Sequence, residues 1–232
     1  MREDICTIPI SEVFEPKDGC PICRMRDMLE DRMATYITGA AMMEPDVRIE
    51  TNRLGFCQHH FGMIRERGSR LSIALILESH LKEIEETILP KEGQAPGKKN
   101  MQAATALSHS CFMCENIDKN INHLLETVIR LWQNEPDFRK LYSEQPCICL
   151  PHYQLLMETA SHMPKKNYSP FAAVTGDLAG SYLREVEKDI THFCRMFDYR
   201  NKDADWGNSK DAIERAIWLL TSRKIEDKKS EK

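Results

Sequence analysis

Apolar residues in this chain recur at steps of three and four, the spacing of one helical face. After Cys114, Ile117, Ile121, Leu124, Val128 and Leu131 form such a stripe, and Leu29, Met33 and Ile37 trace a similar one after Cys23. Both helices are expected to end at a Glu-Pro dipeptide, Glu44-Pro45 or Glu135-Pro136. Proline disfavours helical backbone in the residue before it and suits the first position of a new helix, so a short second helix is expected from each proline. A longer helix is predicted from about Ser69 to Leu89, with Leu71, Leu77, Leu81, Ile84 and Ile88 inward. Another is predicted from about Ser169 to Tyr199, with Phe171, Val174, Leu178, Tyr182, Val186, Ile190, Phe193 and Phe197 inward. Asn208 or Ser209 is expected to cap a last helix reaching about Thr221, followed by a frayed charged tail from Ile225 to Lys232. No segment shows sustained strand alternation. The reading is all-α.

The helical pattern occurs twice. From Cys20 the chain reads C-P-I-C, twenty residues, E-P-D-V-R, eight residues, then C-Q-H-H; from Cys111 it reads C-F-M-C, twenty residues, E-P-D-F-R, nine residues, then C-L-P-H. Eight identities in one register, with a single insertion, indicate a duplication. Residues 1–19 are read as an N-terminal arm, 20–90 as the first metal-stapled helical repeat and 91–100 as a linker marked by Gly93, Pro96 and Gly97. Residues 101–200 form the second repeat and 201–232 a C-terminal turn, helix and tail, all within one compact, pseudo-twofold unit. The duplicated E-P-D-x-R pieces are expected to cap helices and to pair Asp with Arg, since catalytic roles are seldom duplicated.

The repeated Cys and His residues carry the chemistry. A CxxC presents two thiolates on one side of the backbone, and a CxxH places Cys and His about one helical turn apart. Both are half-sites for tetrahedral zinc. The expected sites are Cys20, Cys23, Cys57 and His60 in the first repeat, and Cys111, Cys114, Cys149 and His152 in the second. A twenty-residue helix travels roughly 30 Å, and the residues that follow, if extended, can return over about 35–45 Å. Three thiolates and an imidazole leave no open position, the structural rather than the catalytic pattern; redox-active thiols and iron–sulfur ligation are the competing readings. The repeat register assigns His60 rather than His59, which aligns with Pro151, and Cys149 rather than Cys147. Cys147 is read as a small buried side chain that could exchange with Cys149. Cys6 and Cys194 are read as buried thiols, and the methionines crowding the first copy as core filler.

Composition narrows the function. The chain has 232 residues and a net charge of −4, and its lysines come in isolated pairs, so no basic surface is dense enough to track phosphates. The first residues carry charges and no apolar run, and Leu71–Leu77 is far too short to span a bilayer. No nucleic-acid or membrane partner is expected, and a cytoplasmic location is the default. Nine cysteines in a reducing compartment point to metal rather than disulfides. No glycine-rich phosphate loop, GxSxG, HExxH or CxxCH motif is present.

Cys20-Pro21-Ile22-Cys23, the Phe56-Cys57…His60 segment, and Cys194-Arg195-Met196-Phe197-Asp198-Tyr199-Arg200 through Asp205-Trp206-Gly207-Asn208 resemble an uncharacterised bacterial domain-of-unknown-function family, the one numbered 6062. The resemblance spans nearly the whole chain and implies a cytosolic helical protein of no established activity. The leading functional expectation is a non-catalytic binding or adaptor protein with two structural zinc ions, offering a groove between its copies to a protein or a small ligand. The alternatives are a thiol-based redox or metal sensor, and an enzyme or small-ligand binder with a pocket near Asp198, Arg200 and Trp206. For that segment the simpler expectation is a helix corner, with Trp206 covering the core and Arg200 paired to an aspartate.

Overall fold

A computed structural model describes residues 7–201 and 204–224. Cys6 and the Ile225–Lys232 tail lie outside the described residues. Among the described residues the chain forms eleven α-helices and no strand: α1 (Ile8–Phe14), α2 (Pro21–Thr38), α3 (Pro45–Leu54), α4 (Gln58–Arg67), α5 (Arg70–Thr87), α6 (Lys98–Ser108), α7 (Phe112–Asn134), α8 (Pro136–Ser143), α9 (Leu150–Ala160), α10 (Lys165–Met196) and α11 (Ala212–Thr221). None of them is long and apolar enough to cross a membrane.

Proline sets several boundaries. Pro45 and Pro136 open α3 and α8 at the first helical position, where a missing N–H costs nothing. Asp46 and Asp137 sit in the first turns, where the helix dipole favours a carboxylate. The arginines of the two E-P-D-x-R pieces satisfy other groups. Arg48 donates to the Leu75 carbonyl at 2.7 Å and to Ser79 Oγ, and Arg139 donates to the Trp132 and Gln133 carbonyls at the end of α7. Helix α1 falls in the segment read as an N-terminal arm and buries Ile10, Val13 and Phe14, at steps of three and one. Helix α6 opens inside the segment read as linker, where the Asn100 side chain accepts the Gly97 N–H at 3.1 Å.

The chain divides into two compact units. One comprises Met1–Met25 with Asn122–Lys232, the other Arg26–Ile121. Their boundaries fall inside α2 and α7, not in the 91–100 segment. The core of the first unit is aromatic: Phe14, Trp132, Phe138, Tyr142 and Phe171 meet at ring-centroid distances from 5.1 Å, mostly edge-on or tilted. The buried Tyr142 hydroxyl is satisfied by Thr175 Oγ1 at 2.9 Å. Helix α10 forms the backbone of this unit, packing against α8, α9 and α11.

In the second unit α3 packs along α5. Here the expected inward face of α5 is corrected. Its buried residues are Ser72, Ile76 and His80, whereas Leu71 is 68% and Leu81 61% exposed. A polar network fixes that rotation. Arg48 of α3 reaches Ser79, Ser79 donates to Asn52 Oδ1 at 2.8 Å, and His80 Nδ1 donates to the Asn52 carbonyl at 2.8 Å. Buried polar groups must be paired, and this pairing outweighs the apolar stripe. In the first unit the C-terminal turn of α10 likewise leaves Phe197 73% exposed, and Cys194, expected buried, is exposed.

Candidate metal centres

All eight Cys and His residues singled out by spacing converge in two tetrads, but the grouping differs from the one expected. Cys20 and Cys23 meet Cys149 and His152, and Cys57 and His60 meet Cys111 and Cys114. Each CxxC is thus completed by the CxxH of the other copy of the sequence motif, and neither expected within-copy tetrad forms. The expected return leg explains the error. Residues 40–43 are 3-10 helix and 45–54 α-helix, so they advance at roughly 2.0 and 1.5 Å per residue, about half of the extended figure. Helix α3 then packs along α5 rather than running back to the first cysteine pair.

Local structure presents the ligands. Each tetrad sits at two helix N-termini: those of α2 and α9 in one, those of α7 and α4 in the other. The leading cysteines, Cys20, Cys57, Cys111 and Cys149, each accept the first helical hydrogen bond through their carbonyls, from Arg24, Phe61, Glu115 and Tyr153. Cys57 and Cys149 adopt nearly the same extended backbone, φ −70°, ψ 165° and φ −71°, ψ 159°. The second member of each pair lies at the third helical position. These are the two places that face each other in a capping box, here filled by Cys and His instead of Ser and Glu. The Cys114 N–H points at Cys111 Sγ at 3.5 Å in that manner. Four helix dipoles therefore direct their positive ends at thiolates, two to each tetrad.

The two tetrads close differently. In the first unit Cys23 Sγ lies 3.6 Å from Cys149 Sγ, and His152 Nδ1 lies 3.6, 3.4 and 3.1 Å from Cys20, Cys23 and Cys149. All four residues are buried. In the second unit Cys57 Sγ lies 3.9 Å from Cys114 Sγ, and His60 Nδ1 lies 3.3, 3.2 and 3.4 Å from Cys57, Cys111 and Cys114. There Cys57 and Cys114 are half-exposed. The second tetrad is also tied through the backbone. Ser110 Oγ donates to the Leu54 carbonyl at 2.8 Å and the Phe112 N–H to the Gly55 carbonyl at 2.9 Å, which brings the two cysteine segments side by side.

Without a metal, each tetrad favours one thiolate. Burial resists ionisation of Cys20, yet hydrogen bonds from Cys149, Cys23 and His152 hold it well below the usual thiol range. Cys149, hydrogen-bonded to Cys20, is pushed up to about 12, and Cys23 is raised by Cys149, Cys20 and burial. In the second tetrad burial again opposes ionisation of Cys111, but the bond from His60 brings it down to about 6. Burial opposes protonation of His60, but its contact with Cys111 and the neighbouring Glu30 carboxylate raise it to about 9, and Cys114 is raised by burial and by the Cys111 charge. Three thiols crowded together cannot all ionise until a cation joins them.

Cys147, considered for exchange with Cys149, is buried outside the tetrad, its thiol pushed up to about 12 by burial and then by the Cys20 and Cys149 charges. The Asp198–Trp206 corner closes on itself. Asp198 pairs with Arg200, Asp205 Oδ1 accepts the Gly207 N–H at 3.0 Å, and Trp206 packs edge-on against Phe193 and Phe197. A residue that the spacing did not reveal is Glu30, buried on α2 behind His60. Its only sequence signal is a helical face shared with the buried Ala34 and Ile37.

No curated protein and no solved structure matches the chain. One family model does, over residues 1–227, and its description is a family of unknown function, DUF6062. With nearly its whole length covered by that match, the chain belongs to the DUF6062 family.

Proposed function

We propose that the chain binds two structural zinc ions, one in each tetrad, and acts as a non-catalytic binding or adaptor module whose helices the ions staple. The spacing of the donor atoms carries this reading. Donors tetrahedrally placed around zinc, with Zn–S about 2.3 Å and Zn–N about 2.0–2.1 Å, stand about 3.8 Å (S···S) and 3.6 Å (S···N) apart. Two of the sulfur pairs lie at 3.6 and 3.9 Å, the sulfur–nitrogen pairs lie at 3.1–3.6 Å, and all four donor atoms of each tetrad lie within 4.8 Å of one another. Thiolates with an imidazole suit zinc over hard cations, and four protein ligands leave no position for a substrate. Elemental analysis of paired variants tests both metal and grouping. Cys20→Ser with Cys149→Ser should lose one zinc of two, and Cys20→Ser with Cys57→Ser should lose both. The reverse result restores within-repeat sites, and a wild type without zinc sinks the proposal.

A second reading, a thiol-based redox or metal sensor, is favoured by the half-exposed Cys57 and Cys114. Mild peroxide separates the two. A structural role keeps both ions bound, whereas a sensor releases the ion of the second tetrad as Cys57 and Cys114 oxidise.

A further inference from the structure

We infer that Glu30 is a positioning residue for the Cys57–His60–Cys111–Cys114 centre, holding the Nε2–H of His60 so that Nδ1 is turned to the metal. The inference rests on the zinc reading above and concerns how one of the two sites is tuned.

Both faces of the His60 ring are accounted for. Nδ1 faces Cys57, Cys111 and Cys114 at 3.2–3.4 Å, so it is the ligand atom. Nε2 points the other way, is buried, and has no partner within hydrogen-bond distance. Glu30 Oε1 lies 3.6 Å from it, and a shift of a few tenths of an ångström makes the bond. The second oxygen, Oε2, lies 3.5 Å from Nε2 of the neighbouring His59. Glu30 is 5% exposed, and a carboxylate that deep in a fold requires a polar partner. A ligating histidine in turn needs an acceptor for its second N–H, which fixes the tautomer and strengthens the imidazole as a donor. Glu30 places an acceptor beside the unsatisfied Nε2–H of His60.

The feature distinguishes the two centres. Glu30 is the tenth residue after Cys20, and the tenth after Cys111 is Ile121. The half-exposed centre therefore has an acid on α2 where the other repeat has an apolar side chain. A cluster with two partly exposed thiolates loses its metal more readily, and a more basic imidazole counteracts that.

Full-length protein loaded with zinc and titrated against a chromophoric chelator provides the test, with Glu30→Gln, Glu30→Ala, Glu30→Asp and His59→Ala. Glu30→Gln keeps the shape and removes the charge, so a space-filling role leaves it silent. A positioning role weakens one of the two sites about 10- to 100-fold, most in Glu30→Ala, with partial recovery in Glu30→Asp. The all-buried centre keeps its zinc in every variant and serves as the internal control. Nitrogen-15 histidine spectra should show His60 metallated at Nδ1 and protonated at Nε2 in the wild type, with faster Nε2–H exchange in Glu30→Ala. A two-zinc wild type whose affinities are unchanged in Glu30→Gln and Glu30→Ala overturns this inference alone. So does a third zinc lost in both Glu30→Gln and His59→Ala, because Glu30 would then belong to a separate ion site. A wild type that binds no zinc overturns the zinc reading along with it.

Discussion

The two tetrads each use three cysteines and one histidine on the same local scaffold, yet they differ in burial and in backing. Cys20, Cys23, Cys149 and His152 are all buried, whereas Cys57 and Cys114 are half-exposed and the buried Glu30 stands behind His60. They also close different lengths of chain. Cys23 and Cys149 are 126 positions apart, Cys57 and Cys114 are 57. The entropy of closing the longer loop differs by only about 0.7 kcal/mol, since it grows with the logarithm of length. Burial is the larger distinction. If both tetrads bind zinc, identical donor sets would give one site fitted to hold the fold and another open to exchange, with the surroundings deciding which is which.

The sharpest way to break the comparison is to remove one ligand from each centre. In Cys149→Ser two thiols and an imidazole stay buried without the cation that, on the zinc proposal, balances them. A structural zinc supplies roughly 10–16 kcal/mol in small domains, comparable with the whole stability of a fold. We expect Cys149→Ser to lose one zinc and cooperative melting, or to fail to accumulate. Cys114→Ser should lose one zinc but melt cooperatively at a lower temperature, because water reaches the remaining half-exposed Cys57. Zinc analysis and thermal unfolding check both. Equal losses, or a larger loss for Cys114→Ser, would show that burial does not separate the two sites.

The same contrast shows what could be read from residue order. All eight tetrad residues were legible because each pair is local: a helix-capping cysteine and the residue three positions on form one site of capping-box shape. Which pair meets which was not, because that depends on where α3 carries the chain. Helices opening at Pro45 and Pro136 were legible for the same local reason. The inward face of α5 was not, because Arg48, Ser79, Asn52 and His80 turn a polar stripe inward through contacts with a different helix. Glu30 was hidden for a related reason. A carboxylate on a buried stripe looks like any surface acid until its partner on another helix is known.

The smallest expected effect concerns the backbone. Two residues before Cys57 stands Gly55, at φ 57° and ψ −157°, a region essentially reserved for glycine. At the matching place before Cys149 stands Cys147. Gly55 cannot carry a side chain for a second reason: an added Cβ would sit 2.9 Å from His80 Nε2 and 3.2 Å from Leu107 Cδ1. Its carbonyl meanwhile accepts the Phe112 N–H beside Cys111, whereas the residue matching Phe112 is Pro21, which has no N–H to give. The half-exposed centre thus relies on a strained turn and a backbone bond for which the buried one has no equivalent donor. Gly55→Ala should cost about 1–3 kcal/mol and weaken zinc at that centre only, read as a lower melting temperature and faster loss to a chelator. Cys147→Ala should retain both ions, since Cys147 lies outside the tetrad. If Gly55→Ala leaves the chelator kinetics of both ions untouched, the backbone clamp does not set the geometry of Cys57 and Cys111.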